Sequence, residues 1–196
     1  MKTRAELKAE AKEQIRGNVF MAFVCWLIVS VILVALNFIV GIGTVASIIL
    51  SPVLLFGFIK LFYDLAQGEK IQVSNVFSGF SNFGNVFVTN FLVGLFISLW
   101  SLLFVIPGII KAFSYSMSNY VLCDYPELSG TQAIKESQRI MDGHKMDLFV
   151  LYLSFIPWAL LGTITLGLAY IYIIPYMQAT VTNFYNDIKT PMDMGF

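Results

Sequence analysis

Charge is what this chain has least of. Only 12% of its 196 residues are charged, while 58% are hydrophobic and 15% aromatic. A soluble domain carries about 25% charged residues. No water-facing surface could be built from this supply, so a soluble globular domain is excluded and a polytopic membrane protein is the class that remains. Net charge is zero, so no global field attracts nucleic acid, and none is expected as a partner. Histidine is reduced to His144 and cysteine to Cys25 and Cys123. Both cysteines fall near helix ends expected to face a reducing cytoplasm, which makes them free thiols used for packing rather than a disulfide. No second His and no Cys stands at metal-ligand spacing from His144. The apolar stretches hold no His-rich or paired-acid cluster, and the chain shows no phosphate loop and no nucleophile with a neighbouring base. No catalytic residue, metal site or cofactor is expected, and the chain reads as non-enzymatic.

What is there, in abundance, is long apolar sequence. The first such run follows Arg16 and exceeds the core of about 7–15 residues that a cleaved signal peptide would have, so it is expected to stay as an anchor. Ahead of it, Thr3 and Glu6 make a capping box. Leu7, Ala11 and Ile15 then recur every four residues and share one face. Residues 1–18 therefore read as an amphipathic leader lying on the cytoplasmic membrane surface. At 1.5 Å per residue, about 20 apolar residues cross a hydrocarbon core of about 30 Å. Six such spans are expected, near 19–40, 45–65, 86–106, 109–122, 148–161 and 168–185. Gly41-Ile42-Gly43, Pro107-Gly108 and residues 162–167 supply the turns within three hairpins, and Pro157 is expected to bend the fifth span. Between hairpins, residues 67–85 place phenylalanines near helical spacing, and residues 124–145 hold a second capping box, Ser129 with Gln132, and a helix stop at Gly143. Both read as interfacial segments. Residues 19–187 thus form a six-helix membrane domain, and residues 188–196 form a cytoplasmic tail.

Charge placement orients this layout. With the N-terminus inside, every Lys and Arg except Lys111 falls on the cytoplasmic side or at an inner helix end, while the three short outer turns carry none. That is the positive-inside pattern. A weak internal repeat runs through the same hairpins. Pro52, Pro107 and Pro175 each precede a polar or aromatic cluster by about twelve residues: Tyr63-Asp64, Ser118-Asn119-Tyr120 and Tyr185-Asn186-Asp187. Three related hairpins and coincidence both account for it.

Lys111 is the sharpest candidate for function, because an ionised side chain inside a bilayer is costly. At 3.6 residues per turn it shares a face with Ser114, Tyr115 and Ser118, which could hold an anionic headgroup or a substrate. The alternative is that Lys111 snorkels to the outer interface while the hydroxyls bond neighbouring helices. His144 and Lys145 read as a helix stop followed by basic residues facing anionic lipid. Lys60 and Asp64, four apart, read as a surface ion pair. Gln178, Thr182 and Asn183 read as contacts between helices.

Several stretches resemble a known family. Phe77-Ser78-Gly79-Phe80, Phe83-Gly84, Ile106-Pro107-Gly108-Ile109-Ile110-Lys111, Tyr115-Ser116-Met117, Ala133-Ile134, Ser137, Met141, Gly143-His144-Lys145, Leu153-Ser154-Phe155-Ile156 and Ile174-Pro175-Tyr176 resemble the bacterial integral membrane family known as domain of unknown function 975. Pro157 departs from it, standing where a small residue is expected. The resemblance implies a bacterial plasma membrane protein and carries over no catalytic role. The sequence alone therefore points to an all-α membrane protein with both termini cytoplasmic. It would bind the bilayer, anionic lipid or another membrane protein through its inner face. The rival reading is a small transporter or export factor with a polar path near Lys111.

Overall fold

Thr3 opens the first helix as its capping box predicts. Its hydroxyl accepts the Glu6 N–H at 3.3 Å and its own N–H donates to the Glu6 carboxylate at 2.6 Å. The computed structural model describes residues 2–38 and 42–189, and every regular element among them is helical. Helix α1 spans Arg4–Ile15, α2 Val19–Asn37 and α3 Ile42–Ala66, with Pro52 inside α3. Helix α2 ends at Asn37 with Phe38 as its C-cap, and Gly41 lies outside the described residues. Ile42 and Gly43, expected in the turn, already belong to α3.

The expected interfacial segment is a 3-10 helix, Val73–Asn82, laid against α3. Two glycines make this possible. A Cβ on Gly57 would stand 1.8 Å from the Val76 carbonyl oxygen, and one on Gly79 would stand 2.3 Å from that of Val53. The two backbones therefore touch with no side chain between them. Phe77, Phe80 and Phe83 stay exposed and begin a ring ladder that continues through Phe87 to Phe91.

Helix α4 (Phe83–Leu103) and α5 (Val105–Tyr115) form the next hairpin. Its turn is not at Pro107-Gly108, as expected, but at Phe104, which is extended at φ −156° and ψ 135°. Pro107 sits in the first turn of α5, where the N–H that proline lacks would have no helical acceptor. Gly108 serves packing: a Cβ there would meet the Ser101 hydroxyl at 2.2 Å. The expected fourth span is also interrupted. It stops at Ser116-Met117 and resumes as α6, Ser118–Asp124.

Helix α7 (Gly130–Ile140) keeps its expected capping box, the Ser129 N–H donating to Gln132 at 2.9 Å. It is two-sided, with Thr131, Gln132 and Lys135 exposed. Ala133, Ile134, Ser137 and Ile140 are buried against α4, α5 and α6. The next span breaks at Ser154-Phe155 into α8 (Lys145–Leu153) and α9 (Ile156–Ile164), with Pro157 in the first turn of α9. The bend expected at Pro157 is thus set just ahead of it. Leu166 and Gly167, both at positive φ, turn the chain into α10 (Tyr170–Ile188).

The core gathers at one end. It joins Leu7, Ala11 and Ile15 of α1, Ala22 and Cys25, the second half of α3, Leu122, Met141, Leu148 and the stretch of α10 from Tyr176 to Ile188. The apolar face of α1 is thus buried on α10 rather than in headgroups. At the opposite end the helix tips carry exposed apolar residues, among them Phe38 at 82%, Leu102 at 86% and Leu166 at 95%. Four stretches are long and apolar enough to cross a membrane: Val19–Asn37, Gly43–Ala66, Val73–Leu103 and Lys145–Ile164. Neither α5 nor α6 alone has the length. Helix α10 has it, but its second half carries Gln178, Thr182, Asn183, Asn186 and Asp187.

Candidate functional site

Lys111 lies on α5 less than two turns from the Phe104 turn. Its ammonium stands 5.2 Å from the centroid of the Trp100 ring and 6.0 Å from that of Tyr115. Contact with ring faces stabilises a cation where carboxylates and water are scarce. The hydroxyls sharing its face are turned inward. Ser114 donates to the Ile110 carbonyl at 3.0 Å and Ser118 to the Tyr115 carbonyl at 2.8 Å, and both side chains are buried with Tyr115. His144 and Lys145 form a separate group at the start of α8, where they meet Asp147 at 3.3 Å and Asp142 at 3.7 Å. Among the described residues no hydrogen bond, ion pair or ring contact joins them to Lys111.

The interruption between α5 and α6 is bridged from α7. The Ser137 hydroxyl accepts the Met117 N–H at 3.1 Å and donates to the Ser114 carbonyl at 2.8 Å. One side chain thus satisfies a donor and an acceptor left over where the helical ladder stops. Nearby, Asn90 of α4 and Asn119 of α6 exchange amide hydrogen bonds at 2.9 and 3.1 Å.

A third cluster was not legible in the sequence. Asp124, at the end of α6, accepts the hydroxyls of Tyr63 from α3 and Tyr185 from α10. Lys189 donates to both of its carboxylate oxygens at 3.1 Å. Tyr120 stacks on Tyr185 at 5.3 Å and receives a hydrogen bond from Gln178 at 2.8 Å. The tyrosines of the three repeat clusters, Tyr63, Tyr120 and Tyr185, therefore meet in one place, which the prolines' spacing alone could hint at. Lys60 pairs with Asp64 at 2.7 Å, as their spacing predicts. Thr182 bonds its own helix at the Gln178 carbonyl, and Asn183 reaches the Leu7 carbonyl of α1 at 3.5 Å.

The fourth cluster lies along α1. Arg4, Lys8, Lys12 and Arg16 recur every four residues and share one side, with Glu6, Glu10 and Glu13 on the other. Lys8 donates to the Ser154 carbonyl at 3.0 Å, in the break between α8 and α9, and stands 4.1 Å from the Phe155 ring centroid. Lys12 lies 5.8 and 5.6 Å from the rings of Trp158 and Tyr176. None of these four cations has a carboxylate partner among the described residues. Burial, then the charges of Lys12 and Arg4, hold the Lys8 ammonium below the usual lysine range.

No group of three His, Cys, Asp or Glu among the described residues could hold a metal ion. A family model described as "Protein of unknown function (DUF975)" matches residues 1–114 and 102–191. No curated protein and no solved structure matches the chain. The two matched segments run on from one another through the α4–α5 hairpin and take in all four clusters, and the chain accordingly belongs to this family of proteins of unknown function.

Proposed function

We propose that this chain is a non-enzymatic membrane protein that binds anionic lipid, or a membrane partner, through its cytoplasmic face. In this reading it crosses the bilayer six times in three hairpins, in a bacterial cell membrane, with both termini in the cytoplasm. The two shorter crossings are the interrupted α5–α6 and the outer part of α10. The observation that carries the reading is the one-ended build of the molecule. The buried polar clusters and all cations but Lys111 gather at the packed end, while the far end offers apolar tips. Such an end faces anionic headgroups and the cytoplasm.

The transport reading needs Lys111 to line a polar path. Its place over Trp100 and Tyr115 instead supports an anchor against the outer interface. The test is lipid selectivity of the purified full chain. Vesicles containing phosphatidylglycerol are expected to retain it more strongly than vesicles of phosphatidylcholine alone. Equal retention, with no membrane protein co-isolating, overturns the proposal.

A further inference from the structure

Lys8 has no carboxylate partner among the described residues: it is half-buried, and the protein offers it a backbone carbonyl and a ring face. Lys12, one turn on, leans over the next two rings. Beneath them Phe155, Trp158, Tyr172 and Tyr176 form one aromatic cluster, with neighbouring centroids 5.3 to 6.4 Å apart. The Trp158 N–H and the Tyr172 and Tyr176 hydroxyls make no hydrogen bond among the described residues. Two ammonium groups thus stand over a ring cluster that also carries an indole N–H and two phenol O–H groups, and neither ammonium has a carboxylate partner among the described residues. Asp147, in the first turn of α8, lines a cleft with Arg4 and is engaged by His144.

We propose that this seam between α1 and the α8–α9 break is a seat for the phosphate of an anionic glycerophospholipid. The inference rests on the cytoplasmic-face reading above and gives that face a specific site. Donors of this kind match a phosphodiester, whose oxygens accept and whose charge is complementary to two ammonium groups. The ring faces beside them are apolar and adjoin the exposed surface of α9, where Ile156 and Leu160 are 50% and 60% exposed. A phosphate held there leaves its acyl chains lying along α9, which a free phosphate could not exploit. Tryptophan and tyrosine settle at this level of a bilayer because one end of the ring system is apolar and the other is wet. The break at Ser154 puts Phe155 and Trp158 beside α1, and the four-residue spacing of Lys8 and Lys12 sets both cations over the same cluster.

Native mass spectrometry of the full chain in detergent tests this, titrated with phosphatidylglycerol, phosphatidylcholine or inorganic phosphate. The wild-type protein is expected to retain phosphatidylglycerol over phosphatidylcholine, and millimolar phosphate is expected not to displace it. The K8Q/K12Q double variant should lose roughly tenfold in that retention, K8R/K12R should keep it, and K135Q on α7 should be unaffected. Retention unchanged in K8Q/K12Q overturns the seat and leaves the broader reading standing. No preference in the wild-type protein overturns both. Displacement by inorganic phosphate overturns the lipid as occupant. Should K8Q/K12Q fail to fold, W158F decides: it removes one donor and no charge, and retention equal to wild type there overturns the seat.

Discussion

Single atoms decide the closest approaches in this molecule. Gly57 has no room for a methyl group, since a Cβ would lie 1.8 Å from the Val76 carbonyl oxygen and backbone cannot swing away as a flexible side chain would. G57A is therefore expected to push the 3-10 helix off α3 and to destabilise the fold by about 1–3 kcal/mol, the usual range for overpacking. Thermal unfolding in detergent measures it, and a melting temperature equal to wild type would refute the close approach. Ser137 works by a different rule. Its hydroxyl serves Met117 and Ser114 together, so S137A strands a buried N–H and a carbonyl at once. An unsatisfied buried group costs about 1–3 kcal/mol. S137A should lower the melting temperature while leaving the rest of α7 helical, and amide exchange at Met117 should rise. Protection at Met117 as high as in the wild type would show that the bridge is dispensable.

Among the elements, the capped helices and four of the six expected apolar spans were legible in the sequence, because capping and hydropathy are written in neighbouring residues. Thr3 with Glu6 and Ser129 with Gln132 start helices where expected. The hairpin at residues 104–108 was misplaced because Pro107-Gly108 reads as a turn. Proline tolerated in a first helical turn looks identical in sequence, and the close approach of Ser101 to Gly108 exists only once the hairpin has closed. The breaks at Ser116 and Ser154 were hidden for the same reason: the groups that satisfy them, Ser137 and Lys8, lie 20 or more residues away in sequence. Helix α1 shows the limit most plainly. Its period marks Leu7, Ala11 and Ile15 as one apolar face, but a period cannot say whether lipid or protein covers it. Leu7 is 1% exposed, packed with α10 in the core. L7A should then cost about 2–5 kcal/mol and free α1 to trypsin at Lys12 and Arg16 even in detergent. Unchanged cleavage would mean that α1 rests on lipid after all.

At the scale of the whole molecule, polarity and packing run in the same direction. The end that is most densely packed also holds Asp124 with Tyr63, Tyr185 and Lys189, the Lys60–Asp64 pair and the basic side of α1. Buried charge is tolerable where water and headgroups lie close by, and costly at the centre of a bilayer. Among the described residues the charged group nearest the far end is Lys111, held over Trp100, so the helix tips there can remain loosely covered and apolar. If the packed end faces the cytoplasm, a cysteine on α7 and a cysteine at the α9–α10 turn must lie on opposite sides of the membrane. Lys135 and Leu168 are both exposed and suit the purpose, in a C25A/C123S background. In right-side-out vesicles a membrane-impermeant maleimide is expected to modify L168C and to spare K135C until the membrane is opened. The reverse pattern would invert the molecule and remove the argument for cytoplasmic lipid. Labelling of both from outside would place α7 and the α9–α10 turn on one side of the membrane, and the hairpin count would then be wrong as well.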